Sequence, residues 1–336
     1  MKHTAEAVSL GHPDKTSDFI SSYILDKIIT IDPNVRYALE VMIKGNTVVL
    51  GGEISTTANI TDINRWVKDA LYEIGYTDEY SKQWGNCAIN PDNLNIIHLI
   101  TKQSPDINRG VEQNGWGDQG VFVGYACTGD ENINRELYLA RKLNAEIYNL
   151  AKSDVNLGLG LDIKTQITLD DNGNIETAIV AVPMLREISL HKFVVQTLGE
   201  IPKNIIINGT GRYTFHGSVA DCGITGRKLA CDFYSTAAPI GGGSPWTKDA
   251  SKADLTLNFY ARRLALDYLG ENDECFVYLS SCIGRHELPS ATVKTIKSGI
   301  ISQQNITIDK KPGEIIHILG LNKPIFAQLC RHSVGL

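Results

Sequence analysis

Apolar residues recur at helical spacing over residues 16–29, where Phe19, Ile20, Tyr23, Ile24 and Ile28 share a face and Thr16 or Ser17 can cap the start. Two strand-like runs follow at 37–44 and 47–54, joined at Gly45-Asn46, a pair suited to a tight hairpin. Ile63, Trp66, Val67, Ala70, Leu71 and Ile74 then mark a second helix. The order helix, hairpin, helix returns with Leu137, Ala140, Leu143 and Ile147 on a helix, a hairpin over 162–182 turning at Asp171-Asn172-Gly173, and a helix near 189–198. A third round runs from a helix at 250–269 through paired strands at 275–281 and 292–296 to a shorter helix at 314–319. Short apolar strands are predicted ahead of the second and third rounds, at 121–127 and 229–234.

A hairpin with one apolar face needs a helix layer to bury it. The pattern therefore predicts an α+β protein of three pseudo-repeated units, each an antiparallel or mixed sheet covered by helices. The expected boundaries are 1–107, 114–217 and 218–336, with strand exchange between units open. At 336 residues the chain exceeds what one core usually supports, which agrees with several units. Identity between the rounds is negligible, so the repeat is one of pattern.

Three glycine-edged polar stretches interrupt this pattern: Gly11-His12-Pro13-Asp14-Lys15, Gly117-Asp118-Gln119-Gly120, and Gly241-Gly242-Gly243 running on to Lys248, Asp249 and Lys252. Glycine admits backbone N–H groups close to an anion, lysine brings positive charge, and aspartate can hold a hard cation. Alone, the first stretch reads equally as a surface turn. The repeat puts the first and third in the same slot, leading into a helix N-terminus, where unpaired N–H groups favour anions. Together they predict a nucleoside triphosphate site.

Composition narrows the partners. Hydrophobic residues at 43% and charged residues at 21% suit a globular protein, and a net charge of -6 gives no support for nucleic acid, although a local basic pocket remains compatible. The seven cysteines are scattered with no C-x-x-C pair, which reads as free thiols in a reducing cytosol. The N-terminus lacks a signal-like apolar run and no segment suits a bilayer span, so a cytoplasmic protein without a membrane partner is expected.

Eight ordered segments resemble the S-adenosylmethionine synthetase (methionine adenosyltransferase) family along nearly the whole chain. They are Glu6-Ala7-Val8 leading to Gly-His-Pro-Asp-Lys; Gly51-Gly52-Glu53-Ile54; Lys102-Gln103-Ser104-Pro105-Asp106-Ile107; Gly-Asp-Gln-Gly; Asp162-Ile163-Lys164-Thr165-Gln166; Gly209-Thr210-Gly211-Arg212; Asp221-Cys222-Gly223-Ile224-Thr225-Gly226-Arg227-Lys228; and the triple-glycine segment with Lys248, Asp249, Lys252 and Asp254. The resemblance implies that methionine sulfur attacks C5′ of ATP, that the whole triphosphate leaves, and that tripolyphosphate is then hydrolysed to phosphate and diphosphate. A triphosphate leaves only where its charge is neutralised, so cations must act where negative charge builds.

The resemblance assigns His12, Lys164, Lys248 and Arg227 as catalytic, with His12 beside the oxygen that departs from C5′. It places Lys15, Asp118, Asp162, Lys164, Tyr213, Asp221, Arg227, Lys228, Lys248 and Lys252 at the nucleotide and its triphosphate, with Glu6 on the nucleotide side. Glu53, Gln103, Asp221 and Lys252 match methionine-binding positions. Asp14 and Asp254 match holders of two magnesium ions, and Glu40 matches a potassium ligand. Each has a plainer alternative: a turn histidine capping its own loop for His12, core packing for Tyr213, an outward strand residue for Glu40.

The chain departs from the family pattern at Leu10 and Leu255, where glutamate and arginine are common. The connection over residues 108–116, a mobile lid in the family, is several residues short, which predicts weaker product retention. A helical tail common in the family is missing, which puts the tetramer in more doubt than the homodimer that shares active sites between subunits. Two competing readings are a phosphohydrolase that has lost methionine use, opposed by Glu53 and Gln103, and a catalytically dead nucleotide-binding subunit, opposed by the complete Gly-His-Pro-Asp-Lys, Lys164 and Lys248.

Overall fold

The computed structural model describes residues 2–102 and 115–334. Its strands are β1 (His3–Val8), β2 (Arg36–Lys44), β3 (Thr47–Ser55), β4 (Asn95–Thr101), β5 (Gly120–Cys127), β6 (Lys164–Leu169), β7 (Ile175–Ala181), β8 (Asn204–Ile207), β9 (Gly223–Ile224), β10 (Glu274–Ser281), β11 (Ser290–Lys297) and β12 (Ile300–Asn305). The helices are α1 (Pro13–Ile29), α2 (Ile63–Ile74), α3 (Asp78–Trp84), α4 (Arg135–Ser153), α5 (His191–Leu198), α6 (Gly217–Ala220), α7 (Leu229–Asp232), α8 (Ala253–Leu269), α9 (Pro312–Ile318) and α10 (Phe326–His332).

The strands form three four-stranded sheets, ordered β4-β3-β2-β9, β1-β6-β7-β8 and β12-β11-β10-β5. Each is built on one of the predicted hairpins, and each hairpin is antiparallel. The added outer strands β4 and β8 run parallel to their neighbours, so two sheets are mixed. Helices α1, α4 and α8 cover β2 with β9, β1 with β6, and β5 with β10, respectively. The α+β class with helix-covered sheets is thus the observed one. The strand entering each of these helices joins a different sheet from the hairpin that follows it. β1 pairs with β6, β5 with β10, and β9 with β2.

One predicted strand is corrected. Residues 229–232 form the short helix α7 rather than a strand. The run Leu-Ala-Cys-Asp-Phe-Tyr does not alternate, and Arg141 from α4 donates Nη2 to the carbonyls of Cys231, Asp232 and Phe233, a geometry that holds the carbonyls together as a helix end does. The strand that the pattern placed there is the two-residue β9, further upstream. Phe233, Tyr234, Trp246 and Phe259 pack as a ring cluster on this turn.

The main core runs through α1, α2, α4 and the inner faces of the first two sheets, and a second core lies between α8 and the third. All seven cysteines are free thiols. Among the described residues no helix is long and apolar enough to cross a membrane.

Candidate active site

The start of α1 is the organising point. Pro13 occupies the first helical turn, where its missing N–H costs nothing, and His12 is the N-cap. The Asp14 N–H donates to His12 Nδ1 at 3.2 Å. That leaves the neutral ring with its proton on Nε2, a donor aimed away from the cap. Burial, with the nearby ammoniums of Lys228 and Lys164, lowers the His12 pKa from 6.5 to about 3. The capping role and a donor role therefore use different nitrogens of one ring.

Asp14 is fully buried yet charged. Burial pushes its pKa up, but a hydrogen bond from Lys228 Nζ (2.5 Å) and another from the Ile224 N–H (2.9 Å) outweigh that and hold it below the usual range. Arg227 Nε lies 3.4 Å from Oδ1, the oxygen that also accepts from Ile224. One turn later on α1, Asp18 accepts from the Gly226 N–H at 2.8 Å. Two carboxylates on one helical face thus take alternate N–H groups of the 224–226 segment and aim Arg227 and Lys228. Gly223 makes this possible, because a Cβ there would sit 2.1 Å from the Pro13 carbonyl oxygen.

The same edge of β2 that pairs with β9 also receives the third polar stretch. Met42 faces Ile224, and further along Ala38 bridges to Lys248. The Leu39 N–H donates to the Thr247 carbonyl at 2.9 Å, and the Tyr37 N–H to Asp249 Oδ2 at 2.8 Å. Lys248 Nζ is ion-paired to Asp254 in the first turn of α8. A Cβ on Gly243 would lie 2.4 Å from Asp254 Oδ2 and 2.9 Å from Lys248 Nζ, so the triple glycine brings bare backbone onto this pair. Lys252 caps α8, and burial lowers its pKa despite the neighbouring Asp249 and Glu53.

Lys164 opens β6 opposite Val8, at the end of β1 that leads into the His12 loop. Asp162, two residues before it, accepts from the Gly217 N–H at 2.9 Å, and burial raises its pKa to about 6. Tyr213 and Asp221 are close enough to interact electrostatically with Asp162, and burial raises the Tyr213 phenol. His12, Asp14, Asp162, Lys164, Arg227 and Lys228 are thereby brought together, with Lys248, Lys252, Asp254 and Glu53 gathered further along β2. Glu6 accepts from the Cys231 thiol at 3.5 Å.

Other expected residues stand apart. Lys15, expected at the triphosphate, has a buried ammonium that donates to Asp232 at 2.9 Å and lies 3.3 Å from Asp18, within a charge network behind the His12 loop. Asp118 accepts from the Gln119 N–H, and its carbonyl from Ser281; these described contacts do not tie it to the cationic cluster. Glu40 points outward from β2 and accepts from Thr225. Gln103 and most of the expected lid lie outside the described residues. Asp18, Thr225, Asp232 and Trp246 were not foreseen; the i, i+4 spacing of Asp14 and Asp18 was the available signal.

The donor set suits magnesium. Asp14 and Asp254 are hard oxygen donors, each already holding a lysine ammonium as a stand-in cation. Among the described residues no group of three or more His, Cys, Asp or Glu converges as a metal cage. One protein carboxylate per ion is the arrangement in which magnesium is completed by phosphate oxygens and water.

Comparison with known proteins gives a consistent result. Residues 1–105 match the family model "S-adenosylmethionine synthetase, N-terminal domain" and residues 215–334 match "S-adenosylmethionine synthetase, C-terminal domain". The solved structure of an S-adenosylmethionine synthetase from Campylobacter jejuni, described as unusual, is similar at a TM-score of 0.85 and 30% identity, covering 99% of this chain and 94% of that one.

Proposed function

The chain belongs to the S-adenosylmethionine synthetase family, and from that premise we propose that it joins L-methionine to the adenosyl group of ATP in the cleft between α1, β9 and the triple-glycine loop. The sulfur forms a bond to C5′ as the C5′–O bond breaks, and the electron pair leaves with the intact triphosphate. Water then cleaves the tripolyphosphate to phosphate and diphosphate.

His12 carries the argument. Its Nε2–H donates to the departing bridging oxygen as charge develops there, while Nδ1 stays pinned by the Asp14 amide. A neutral donor is sufficient because Lys164, Lys228, Arg227, Lys248 and Lys252 supply the positive charge. On nucleotide entry Lys228 and Lys248 exchange their carboxylate partners for phosphate oxygens, which leaves Asp14 and Asp254 to hold magnesium. Bound magnesium supplies charge neutralisation to the phosphate oxygens, and Glu40 with Thr225 offers a hard oxygen site for potassium. Glu53 and Asp221, with Gln103, meet the methionine amino-acid head, and Asp162 and Tyr213 meet the nucleoside.

The site favours a transferase over a phosphohydrolase because Glu53 stands beside Lys252 on the strand adjoining β2. Incubation with ATP, magnesium and potassium, with and without methionine, separates the two. The transferase reading predicts phosphate release that depends on methionine; release indifferent to methionine contradicts it.

A further inference from the structure

The two proposed phosphate-facing loops, residues 11–15 and 241–252, lie far apart in the chain, and their alignment decides whether His12, Asp14 and Lys248 act on one triphosphate. A buried contact links them from behind. Asp232, at the end of α7, accepts from Lys15 Nζ at 2.9 Å and from Trp246 Nε1 at 2.8 Å, both on Oδ2. Lys15 directly follows Asp14, and Trp246 stands two residues before Lys248. The Lys15 ammonium also lies 4.7 Å from the Trp246 ring centroid, a cation–π contact between the loops. The other oxygen, Oδ1, accepts from Ser333 Oγ at 3.2 Å, which belongs to the C-terminal segment.

We infer that Asp232 is a positioning residue that locks the first and third phosphate loops together and, through α7, fixes the Arg227-Lys228 pair to both. The Asp232 N–H donates to the Lys228 carbonyl at 3.0 Å, so the third cationic segment is on the same helical turn. Asp232, Lys15 and Trp246 are all buried, which strengthens these contacts relative to exposed ones. Asp18 shares Lys15 while holding the Gly226 N–H, which closes the network on the Arg227 side. Lys15 thus serves the site by joining its parts, with the phosphate contacts left to the lysines that face the cleft.

The inference rests on the proposed reading of the cleft, and the test separates the two. Asp232→Asn keeps an acceptor for Trp246 but removes the charge that holds Lys15; Trp246→Phe keeps an aromatic face for Lys15 and removes the Nε1 donor together with the pyrrole half of the indole, a packing loss that the thermal unfolding reads separately. Ser333→Ala removes the donor to the same carboxylate from a segment carrying no phosphate ligand. Calorimetric binding of a non-hydrolysable ATP analogue with magnesium is measured for each, alongside thermal unfolding. Asp232→Asn and Trp246→Phe are expected to bind the analogue at least ten-fold more weakly, and Ser333→Ala to bind it as the unmodified protein does while melting at lower temperature.

In turnover, the two loop variants should raise KM for ATP and lower kcat, with KM for methionine held within about two-fold. A folded Trp246→Phe with unchanged analogue binding overturns the inference, as does Ser333→Ala weakening that binding equally. If Asp232→Asn fails to fold, Trp246→Phe still decides. Failure of the unmodified protein to make S-adenosylmethionine would count against the proposed function, while the binding comparison is read independently.

Discussion

His12 shows how a capping residue and a proposed donor can be compatible in one ring. As an N-cap it satisfies the Asp14 N–H through Nδ1, and the same bond fixes Nε2 as the donor. Asparagine at this position would keep the cap through Oδ1 and lose the donor at the position of Nε2. His12→Asn is therefore expected to fold normally and to lose about 10²–10³-fold in kcat, measured by initial rates beside thermal unfolding. Because its pKa is lowered to about 3, the His12 ring in the ligand-free protein should not titrate between pH 5 and 8 by NMR. His216 provides a stability counterpart. It is buried against Trp84, bonded to the Tyr80 hydroxyl, and burial lowers its pKa to about 4. Above pH 6.5 both folded and unfolded chains hold it neutral; as pH falls toward 4 only the unfolded chain takes the proton, so stability is lost across that window. The loss from this group amounts to about 3 kcal/mol at most. A His216→Gln variant should show a smaller fall in unfolding free energy between pH 7 and 5 than the unmodified protein.

At the scale of elements, the site depends on how closely β9 lies on the α1 loop. Gly223→Ala would put a Cβ against the Pro13 carbonyl and is expected to destabilise by about 1–3 kcal/mol, with activity falling more than stability alone explains because Asp14 and Lys228 part. Chemical denaturation and initial rates check this. The hairpins and long helices were legible in the sequence because their periodicity is local: 37–44 and 47–54 alternate, and Gly45 takes the positive φ its turn requires. The segment 229–234 was misread because a short apolar run does not distinguish strand from helix, and what settled it was Arg141, some 90 positions away in sequence. The pairing of each leading strand with a different hairpin is likewise non-local. So is the pairing of Lys15 with Asp232, 217 positions away. The resemblance named the chemistry of the cleft, but not which cations support it from behind.

For the whole molecule, the first sheet presents exposed apolar side chains on one face among the described residues. Met42, Val49 and Ile97 share one register row across β2, β3 and β4, and Glu40, Gly51 and Leu99 share the next. Leu99, Ile97 and Met42 are exposed large apolar side chains lying beside the proposed potassium carboxylate. Such a face suits a second copy of the chain, as the family resemblance leads one to expect. Leu99→Asp is expected to shift a homodimer toward monomer in analytical ultracentrifugation and to lower activity in proportion; an unmodified protein that is monomeric at micromolar concentration would contradict this. The central claim is that the cleft transfers adenosyl from ATP to methionine with His12 assisting departure of the triphosphate. Mass spectrometry of the reaction of ATP with methionine, in magnesium and potassium, tests it most directly. The account predicts S-adenosylmethionine from the unmodified protein and little from His12→Asn or Lys248→Ala. No S-adenosylmethionine from the unmodified protein, or equal yields from all three, would contradict it.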